Sequence, residues 1–317
     1  MIKYQSLLLS VEVNKMKKEK LFFQFYKAIN LCFTPGADKH SYKRSNETKV
    51  KIFSYSDRRN IIKVADQLSK FIEKNYHEII YIKDIGTDQI QAFFQEKSLY
   101  CTRNTLMNYK YCIRKLEKMV KQELHLNINY INGVIIKSNN NTILRDVELS
   151  QNHLEIILKD SEVSKSKAVI AIKIAAVFGL RVGEVCKLKG MDIDIEKGVL
   201  HIVDSKGKRS RDIKIFTSQQ LEICNYIKNT VKENERVCSL RENSVNAYLR
   251  RALLKNNITL YQEKKTGVHA LRKHYAKRDY LNNLDKTKSK EKAWSQTSLN
   301  LGHSSNRKVL MNTYVKY

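Results

Sequence analysis

Apolar residues recur at helical spacing along the first part of the chain. Four stretches, 15–31, 54–72, 87–94 and 102–119, carry an apolar residue at about every third or fourth position, which predicts four helices with one buried face each. The last three helices are expected to form a compact bundle with basic edges. We assign this helical domain to residues 49–130.

Two segments flank the predicted bundle. Residues 1–48 are interpreted as an N-terminal extension whose helix packs on the body of the protein. Residues 131–148 are rich in asparagine, which is typical of a connection between domains, and we interpret them as a linker. An ordered pair of strands is also compatible with the short apolar run 134–136. The remaining residues, 149–317, are assigned to a second domain.

The second domain combines helices with two short strands. Residues 168–178 are largely apolar, long enough for a buried helix that ends at Gly179. Two alternating runs, 198–203 and 212–216, predict a β-hairpin whose turn, 204–211, is strongly basic. Helices are predicted to follow at 218–232, 244–256 and 269–284. The chain is therefore expected to be mainly α, with a small antiparallel β-sheet in the second domain.

Composition supports the helical interpretation and points to a polyanionic partner. The 317 residues include a single proline, Pro35, and only ten glycines, so few residues interrupt helices. Lysine and arginine number 59 against 32 acidic residues, a net charge of +27. This excess favours nucleic acid as the partner, because basic side chains displace condensed counterions from phosphate. Solvated basic faces without a partner are the alternative.

Two further features bear on the compartment. No apolar run approaches the ~20 residues of a membrane span, and Ser6–Ser10 is too short for the core of a signal peptide. The six cysteines are scattered without a CxxC pair, which favours buried or reduced thiols over disulfides or zinc. We therefore expect a cytoplasmic protein.

Five short motifs follow one another in the second half of the chain. They are Gly179–Glu184 (GLRVGE), Lys206–Gly207, His269–Arg272 (HALR), Leu301–Ser304 (LGHS) and Tyr314. Each motif alone is common. The whole set, in this order on a strongly basic chain, resembles the tyrosine recombinase (phage integrase) family over about residues 50–317.

This resemblance implies both an architecture and an activity. The family clamps double-stranded DNA between a helical core-binding domain and a catalytic domain of mixed α+β fold. Its members are site-specific recombinases and integrases that cleave and rejoin DNA through a 3′-phosphotyrosyl intermediate and a Holliday junction, as tetramers on two recombination sites. No metal, ATP or other cofactor is implied. A nucleoid-associated protein of a prokaryote, phage or mobile element is expected.

Three residues are implied to act directly on the phosphate. Arg181 and Arg272 would neutralise the two non-bridging oxygens, a task that suits permanently charged, bidentate guanidinium groups. Tyr314 would be the nucleophile. Because tyrosine is a weak nucleophile at its ordinary pKa of ~10, it needs cationic surroundings and a proton acceptor. Tyr317 is the alternative nucleophile, but the distance from the LGH histidine favours Tyr314.

The remaining roles concern protons and hydrogen bonds. The resemblance implies that Lys206, in the hairpin turn, is the general acid that protonates the leaving 5′-oxygen, with Lys208 as the alternative. His269 would assist proton transfer at the tyrosine, and His303 would hydrogen-bond a non-bridging oxygen. Glu184 is interpreted as orienting the region of Arg181.

Two features depart from the family pattern. The lysine-rich segment 285–292 lengthens the interval between the two histidine motifs, and we interpret it as a loop. Many members continue beyond the tyrosine into a helix that docks on a neighbouring subunit, whereas only three residues follow Tyr314 here. Either another element makes that contact, or the protein is longer than this chain.

Two other functions remain open at this point. A type IB topoisomerase would use the same chemistry to relax DNA without site specificity. A non-catalytic DNA-binding regulator could have the same scaffold, although the full set of candidate residues argues against it. A metal-dependent nuclease is disfavoured, because no cluster of carboxylates has the spacing of a two-metal site.

Overall fold

The computed structural model describes residues 20–45, 47–138, 147–162, 166–205, 209–263, 266–304 and 307–315. The chain divides into two compact units, Met1–Ile143 and Leu144–Tyr317. The division falls within the asparagine-rich segment 131–148. Each unit contains its own hydrophobic core.

The described part of the N-terminal unit is helical. It contains α1 (Leu21–Leu31), α2 (Lys39–Arg44), α3 (Tyr55–Asn75), α4 (Thr87–Ser98) and α5 (Arg103–Leu124), with a 3₁₀ turn at Ile82–Asp84. Hydroxyl groups cap the two long helices: Ser54 accepts a hydrogen bond from the N–H of Asp57 (3.1 Å), and Thr102 accepts one from the N–H of Thr105 (3.4 Å).

One face of helix α1 belongs to the core of this unit. Its fully buried residues Phe25 and Ile29 pack with α3 and α5. The buried Gln24 donates to the carbonyl of Ile80 (2.8 Å) and accepts from the N–H of Ile82 (3.1 Å), so its amide is satisfied. The helix predicted within residues 15–31 therefore shares one core with the helices predicted for 49–130.

The stretch that follows α5 is ordered by side chains. Residues 126–138 form no strand. The buried Tyr130 donates its hydroxyl hydrogen to the carbonyl of Ile82 (2.6 Å), and Glu117 accepts from the N–H of Tyr130 (2.9 Å). Within the predicted linker, the N–H of Ile131 also donates to Glu117 (3.2 Å), and the carbonyl of Val134 accepts from Lys110 (2.9 Å). Part of the predicted linker is thus packed against the helices, and the alternative of a strand pair is not supported for these residues.

The C-terminal unit has nine helices and three strands among its described residues. The helices are α6 (Gln151–Glu162), α7 (Lys167–Phe178), α8 (Val182–Val185), α9 (Ser218–Thr230), α10 (Glu242–Lys255), α11 (Leu260–Glu263), α12 (His269–Thr287), α13 (Lys290–Asn300) and α14 (Lys308–Tyr314). A 3₁₀ turn, Gly190–Asp192, precedes the first strand. Across the described parts of both units, no helix has the length and apolar character needed to cross a membrane.

The strands form a small antiparallel sheet in the order β1 (Ile193–Asp194), β2 (Val199–Ser205), β3 (Arg209–Lys214). In β2 and β3, Leu200 pairs with Ile213 and Ile202 with Arg211, and the register shifts between Ile202 and Ser205. The predicted hairpin and the mainly helical fold class are confirmed. Strand β1 was not predicted, because two residues are too few to show an alternating pattern.

Helix α7 lies at the centre of the C-terminal unit. Its apolar run is buried on nearly all sides, against α9, α10 and α12. It ends at Gly179, whose φ of 63° belongs to the left-handed region that glycine adopts without strain. A Cβ at this position would lie 2.2 Å from Cδ1 of Tyr275, so glycine is also required for packing.

The interpretation of residues 285–292 as a loop is wrong. Helix α12 continues to Thr287 and α13 begins at Lys290, so only a tight turn separates the two helices. Lys288 has a φ of 53° at the end of α12, and the hydroxyl of Ser289 caps α13 by accepting from the N–H of Lys292 (3.4 Å). Lysine and glutamate are good helix formers, and charge alone did not indicate a loop.

All six cysteines are free thiols, and five of them are buried. Burial raises the pKa of Cys112 and of Cys224 to about 11 each. These thiols are therefore protonated and unreactive at neutral pH, and they act as small apolar residues of the two cores.

Gly179→Ala is predicted to cost more stability than Gly198→Ala. Both glycines have a φ of 63°, so alanine brings the same backbone strain of about 1 kcal/mol to each site. Only at Gly179 would the new Cβ overlap an aromatic ring, which adds roughly 2 kcal/mol, because nothing lies within 4 Å of a Cβ at Gly198. Urea unfolding measures both free energies, and equal losses would contradict the close packing of Tyr275 on Gly179.

Candidate active site

Arg272, in the first turn of α12, is the most buried charged side chain of the described site. Its exposed fraction is 1%. Nη1 donates to the carbonyl of Gly179 (2.6 Å), and Nη2 donates to the carbonyl of Leu301 (2.5 Å). Gly179 is the C-cap of α7 and Leu301 is the C-cap of α13. One guanidinium group therefore satisfies unpaired carbonyls at the negative ends of two helices.

Tyr314 lies directly beside this guanidinium group. The Nε of Arg272 donates to the hydroxyl oxygen of Tyr314 at 3.3 Å, and the tyrosine side chain is buried at the end of α14. Three rings surround the tyrosine ring: those of His269 (centroids 5.6 Å apart), His303 (5.8 Å) and Trp294 (6.4 Å). The tyrosine side chain is therefore surrounded by one cation, two imidazoles and an indole.

His303 accepts a hydrogen bond from Nη2 of Arg272 through its Nε2, at 3.3 Å. An imidazole nitrogen that accepts from a guanidinium carries no proton, so the Nδ1–H tautomer fits this contact. Burial, followed by the positive charges of Arg272, Arg181, Arg307 and Arg211, lowers the pKa of His303 to about 4. His303 is therefore neutral at physiological pH.

Arg181 is held at the start of α8 by Glu184. Its backbone N–H and its Nη1 donate to the two carboxylate oxygens of Glu184, at 2.9 and 2.7 Å. Ser205, at the end of β2, also donates to this carboxylate (2.5 Å). Glu184 thus orients Arg181, as its position in the GLRVGE motif suggested.

The carboxylate of Glu184 is buried and fully ionised. Burial alone would raise its pKa, but the hydrogen bonds and charge of Arg211, with those from Ser205 and the backbone of Arg181, hold the pKa far below its usual range. Arg211 donates from Nη1 to Oε1 (3.0 Å) and from Nη2 to Oε2 (3.1 Å), a bidentate pair.

Arg211 was not among the residues predicted for the site. It was counted only as part of the basic turn 204–211. Because side chains alternate along a strand, Arg211 is on the same face of β3 as the buried Ile213, whereas Asp212 and Lys214 are exposed. Alternation was therefore a signal that could have found an inward-facing arginine.

The structure brings together five of the six residues predicted for the site. Tyr314 contacts Arg272, His269 and His303, and Arg272 also contacts His303. Arg181 is close enough for its charge to lower the pKa of His303. The sixth, Lys206, and its alternative Lys208 lie outside the described residues, as does Tyr317. Among the described residues, no group of three or more His, Cys, Asp or Glu side chains could hold a metal ion.

Most of the C-terminal unit is similar to a known protein family. Residues 148–288 match the model of the phage integrase family. The matched part of the chain includes Arg181, Glu184, Arg211 and Arg272. A search of the curated proteins found no match to the chain.

Solved structures extend the similarity of fold beyond this domain. A lambda integrase dimer bound to a COC′ core site shares 16% identity, with a TM-score of 0.61 over 97% of this chain and 80% of that one. XerH recombinase in a post-cleavage complex with difH shares 19%, with a TM-score of 0.58 over 82% and 76%. The Tn1549 transposon integrase shares 16%, with a TM-score of 0.53 over 94% and 95%. The fold is that of tyrosine recombinases.

An NMR titration is expected to find the pKa of His303 near 4 and to find it raised by Arg307→Gln. Removing one nearby positive charge makes protonation less costly, so the pKa moves up toward 6.5. Lys308→Gln is the control, because Lys308 is paired with Glu291 (2.6 Å) and should leave the titration unchanged.

The lowered pKa of His303 makes the free energy of unfolding depend on pH. The unfolded chain binds a proton at His303 near pH 6.5, whereas the folded protein does so only near pH 4. The contribution of His303 to the free energy of unfolding is therefore full above pH 6.5 and is lost as pH falls toward 4. His303→Asn should flatten this part of the pH–stability curve, and an unchanged curve would argue against a neutral buried imidazole.

Proposed function

We propose that this protein is a site-specific tyrosine recombinase that cleaves and rejoins double-stranded DNA, with Tyr314 as nucleophile. The contact between the Tyr314 hydroxyl and the buried guanidinium of Arg272 carries this proposal. The phage integrase match at 148–288 and the fold similarity to recombinases support it.

The proposed reaction is a pair of transesterifications. The Tyr314 oxygen attacks the scissile phosphorus, and a 3′-phosphotyrosyl bond forms as the bond to the 5′-oxygen breaks. The tyrosine proton passes to a base, for which His269 is the adjacent candidate, and Lys206 gives a proton to the leaving 5′-oxygen. Attack by a 5′-hydroxyl from another strand reverses the step and rejoins DNA.

The described side chains suit the charge that develops on the phosphate. We assign the guanidinium groups of Arg181 and Arg272 to its non-bridging oxygens, and two carbonyls hold Arg272 in place. The neutral imidazole of His303 carries one N–H that can donate to the same group. The mechanism requires no metal and no ATP, because the phosphotyrosyl ester conserves the energy of the broken bond.

The partner is double-stranded DNA that carries recombination sites. The charge of +27 favours binding to phosphate, and we assign DNA contact to both the helical core-binding domain, 49–130, and the catalytic domain, 149–317. Relatives in the solved structures are a lambda integrase tetramer bound to a Holliday junction and XerH bound to difH. By analogy, we propose a homotetramer that exchanges strands through a Holliday junction, in the cytoplasm beside the nucleoid.

Tyr314→Phe is predicted to abolish the covalent protein–DNA adduct, because phenylalanine has no oxygen to attack phosphorus. The protein is incubated with DNA that contains the sequences flanking its gene, and the adduct is detected on a denaturing gel. Tyr317→Phe is the matched control and should form the adduct at the wild-type level. An adduct that persists in Tyr314→Phe would refute this nucleophile.

The same assay separates the proposed function from its alternatives. Relaxation of arbitrary supercoiled plasmid without joining of two sites would indicate a type IB topoisomerase. Tight DNA binding by the wild-type protein without any adduct would indicate a regulator. Loss of cleavage in the presence of a chelator would indicate a metal-dependent reaction.

Lys206→Ala is predicted to slow cleavage of ordinary DNA by about 100-fold or more, because the leaving 5′-oxygen loses its proton donor. DNA with sulfur in place of that 5′-oxygen should be cleaved at nearly the wild-type rate, because a thiolate leaves without protonation. Lys208→Ala is the control and should behave as the wild type on both substrates. The opposite pattern would assign the general acid to Lys208.

A further inference from the structure

Arg211 connects three parts of the C-terminal unit that belong to separate motifs. It extends from β3 of the hairpin, its guanidinium group forms a bidentate pair with Glu184 at the start of α8, and it packs against Gly302 in the turn before His303. Nη1 also lies 3.5 Å from the hydroxyl of Ser205. In these contacts Arg211 meets neither Tyr314 nor Arg272.

We propose that Arg211 is a positioning residue that fixes Arg181 and His303 relative to each other. This inference rests on the proposed recombinase function, in which both residues contact the same phosphate. Arg211 acts on Arg181 through the carboxylate of Glu184, and on His303 through the backbone of Gly302.

The contacts of Glu184 explain the first connection. Its side chain is 3% exposed, whereas that of Arg181 is 25% exposed. An exposed arginine samples many rotamers unless a fixed partner restrains it. Arg211, with Ser205, occupies the remaining acceptor positions of the carboxylate and prevents it from rotating. The anchor of Arg181 is therefore rigid only while Arg211 is present.

Gly302 explains the second connection. Its φ is 69°, and a Cβ there would lie 2.7 to 2.9 Å from Nη1, Cζ and Nε of Arg211. The flat guanidinium group thus takes the space of the missing side chain and sets the distance between the hairpin and the turn. His303 follows directly, so its imidazole depends on this packing.

Lysine cannot replace arginine in this arrangement. A single ammonium group donates from one point, whereas the two terminal nitrogens of Arg211 match the two oxygens of Glu184 at 3.0 and 3.1 Å. A lysine side chain also lacks the planar surface that packs on Gly302. Arg211→Lys therefore keeps the positive charge but no longer fixes Arg181 and His303 relative to each other.

The test compares Arg211→Lys and Arg211→Leu with Lys214→Leu, which removes a positive charge from the exposed face of the same strand. With all variants shown to be folded by circular dichroism, both Arg211 variants are expected to cleave about 100-fold more slowly, because a misplacement of about 1 Å in catalytic groups costs that much. Lys214→Leu should stay within about threefold of the wild type. Wild-type cleavage by Arg211→Lys would overturn the proposal.

A double-mutant cycle with Gly302→Ala examines the packing contact. In the wild-type background the new Cβ must displace the guanidinium group, so cleavage should fall strongly. In Arg211→Leu the space is free, and the same change should have a much smaller effect on the cleavage rate. Additive effects would show that Arg211 and Gly302 act independently and would refute this step.

One readout does not depend on cleavage. The pKa of His303, followed by NMR, should rise in Arg211→Leu and stay unchanged in Lys214→Leu, because Arg211 is among the charges that lower it. A wild-type protein that forms no adduct would refute the recombinase function. The positioning would still be tested by this titration and by a double-mutant cycle of Arg211 and Glu184 that measures their coupling in the free energy of unfolding. An unchanged pKa together with no coupling would refute the positioning itself.

Discussion

The buried guanidinium of Arg272 is the interaction on which the C-terminal unit depends. A charge with 1% exposure is tolerated only where it is fully hydrogen-bonded, and here its partners are the end of α7, the end of α13 and the hydroxyl of Tyr314. Removal of its partners would leave an unpaired buried cation, a loss of about 3–5 kcal/mol in comparable cases. The same bonds that stabilise the fold therefore hold the candidate site in place.

Two glycines allow this arrangement, and each lies beside an arginine. Gly179 ends α7 in a left-handed conformation, presents its carbonyl to Arg272 and leaves room for the ring of Tyr275. Gly302 turns the chain after α13 and leaves room for Arg211. In both places a backbone turn that only glycine adopts easily also provides close packing. The glycines of the GLRVGE and LGHS motifs are thus part of the site's construction.

Much of the fold could be predicted from local pattern. Apolar periodicity located the long helices, and alternation located the hairpin. Prediction failed where a local signal was ambiguous: lysine-rich residues 285–292 were interpreted as a loop, yet they complete α12 and begin α13. Arg211 was missed for a related reason, because a basic residue near a turn usually faces solvent. Strand alternation could have placed it on the inward face, but only the tertiary structure shows its partner, Glu184, which lies 27 residues away in the chain.

By itself the sequence determined the hairpin, most of the long helices, the basic character and the residue types available for chemistry, because these depend on neighbours along the chain. Only the tertiary structure decided which of them meet. Arg272 is joined to Gly179 across 93 residues and to Tyr314 across 42, and such contacts arise when separate helices pack around one core. The neutral state of His303 is likewise a tertiary property, since burial and surrounding arginines lower its pKa to about 4.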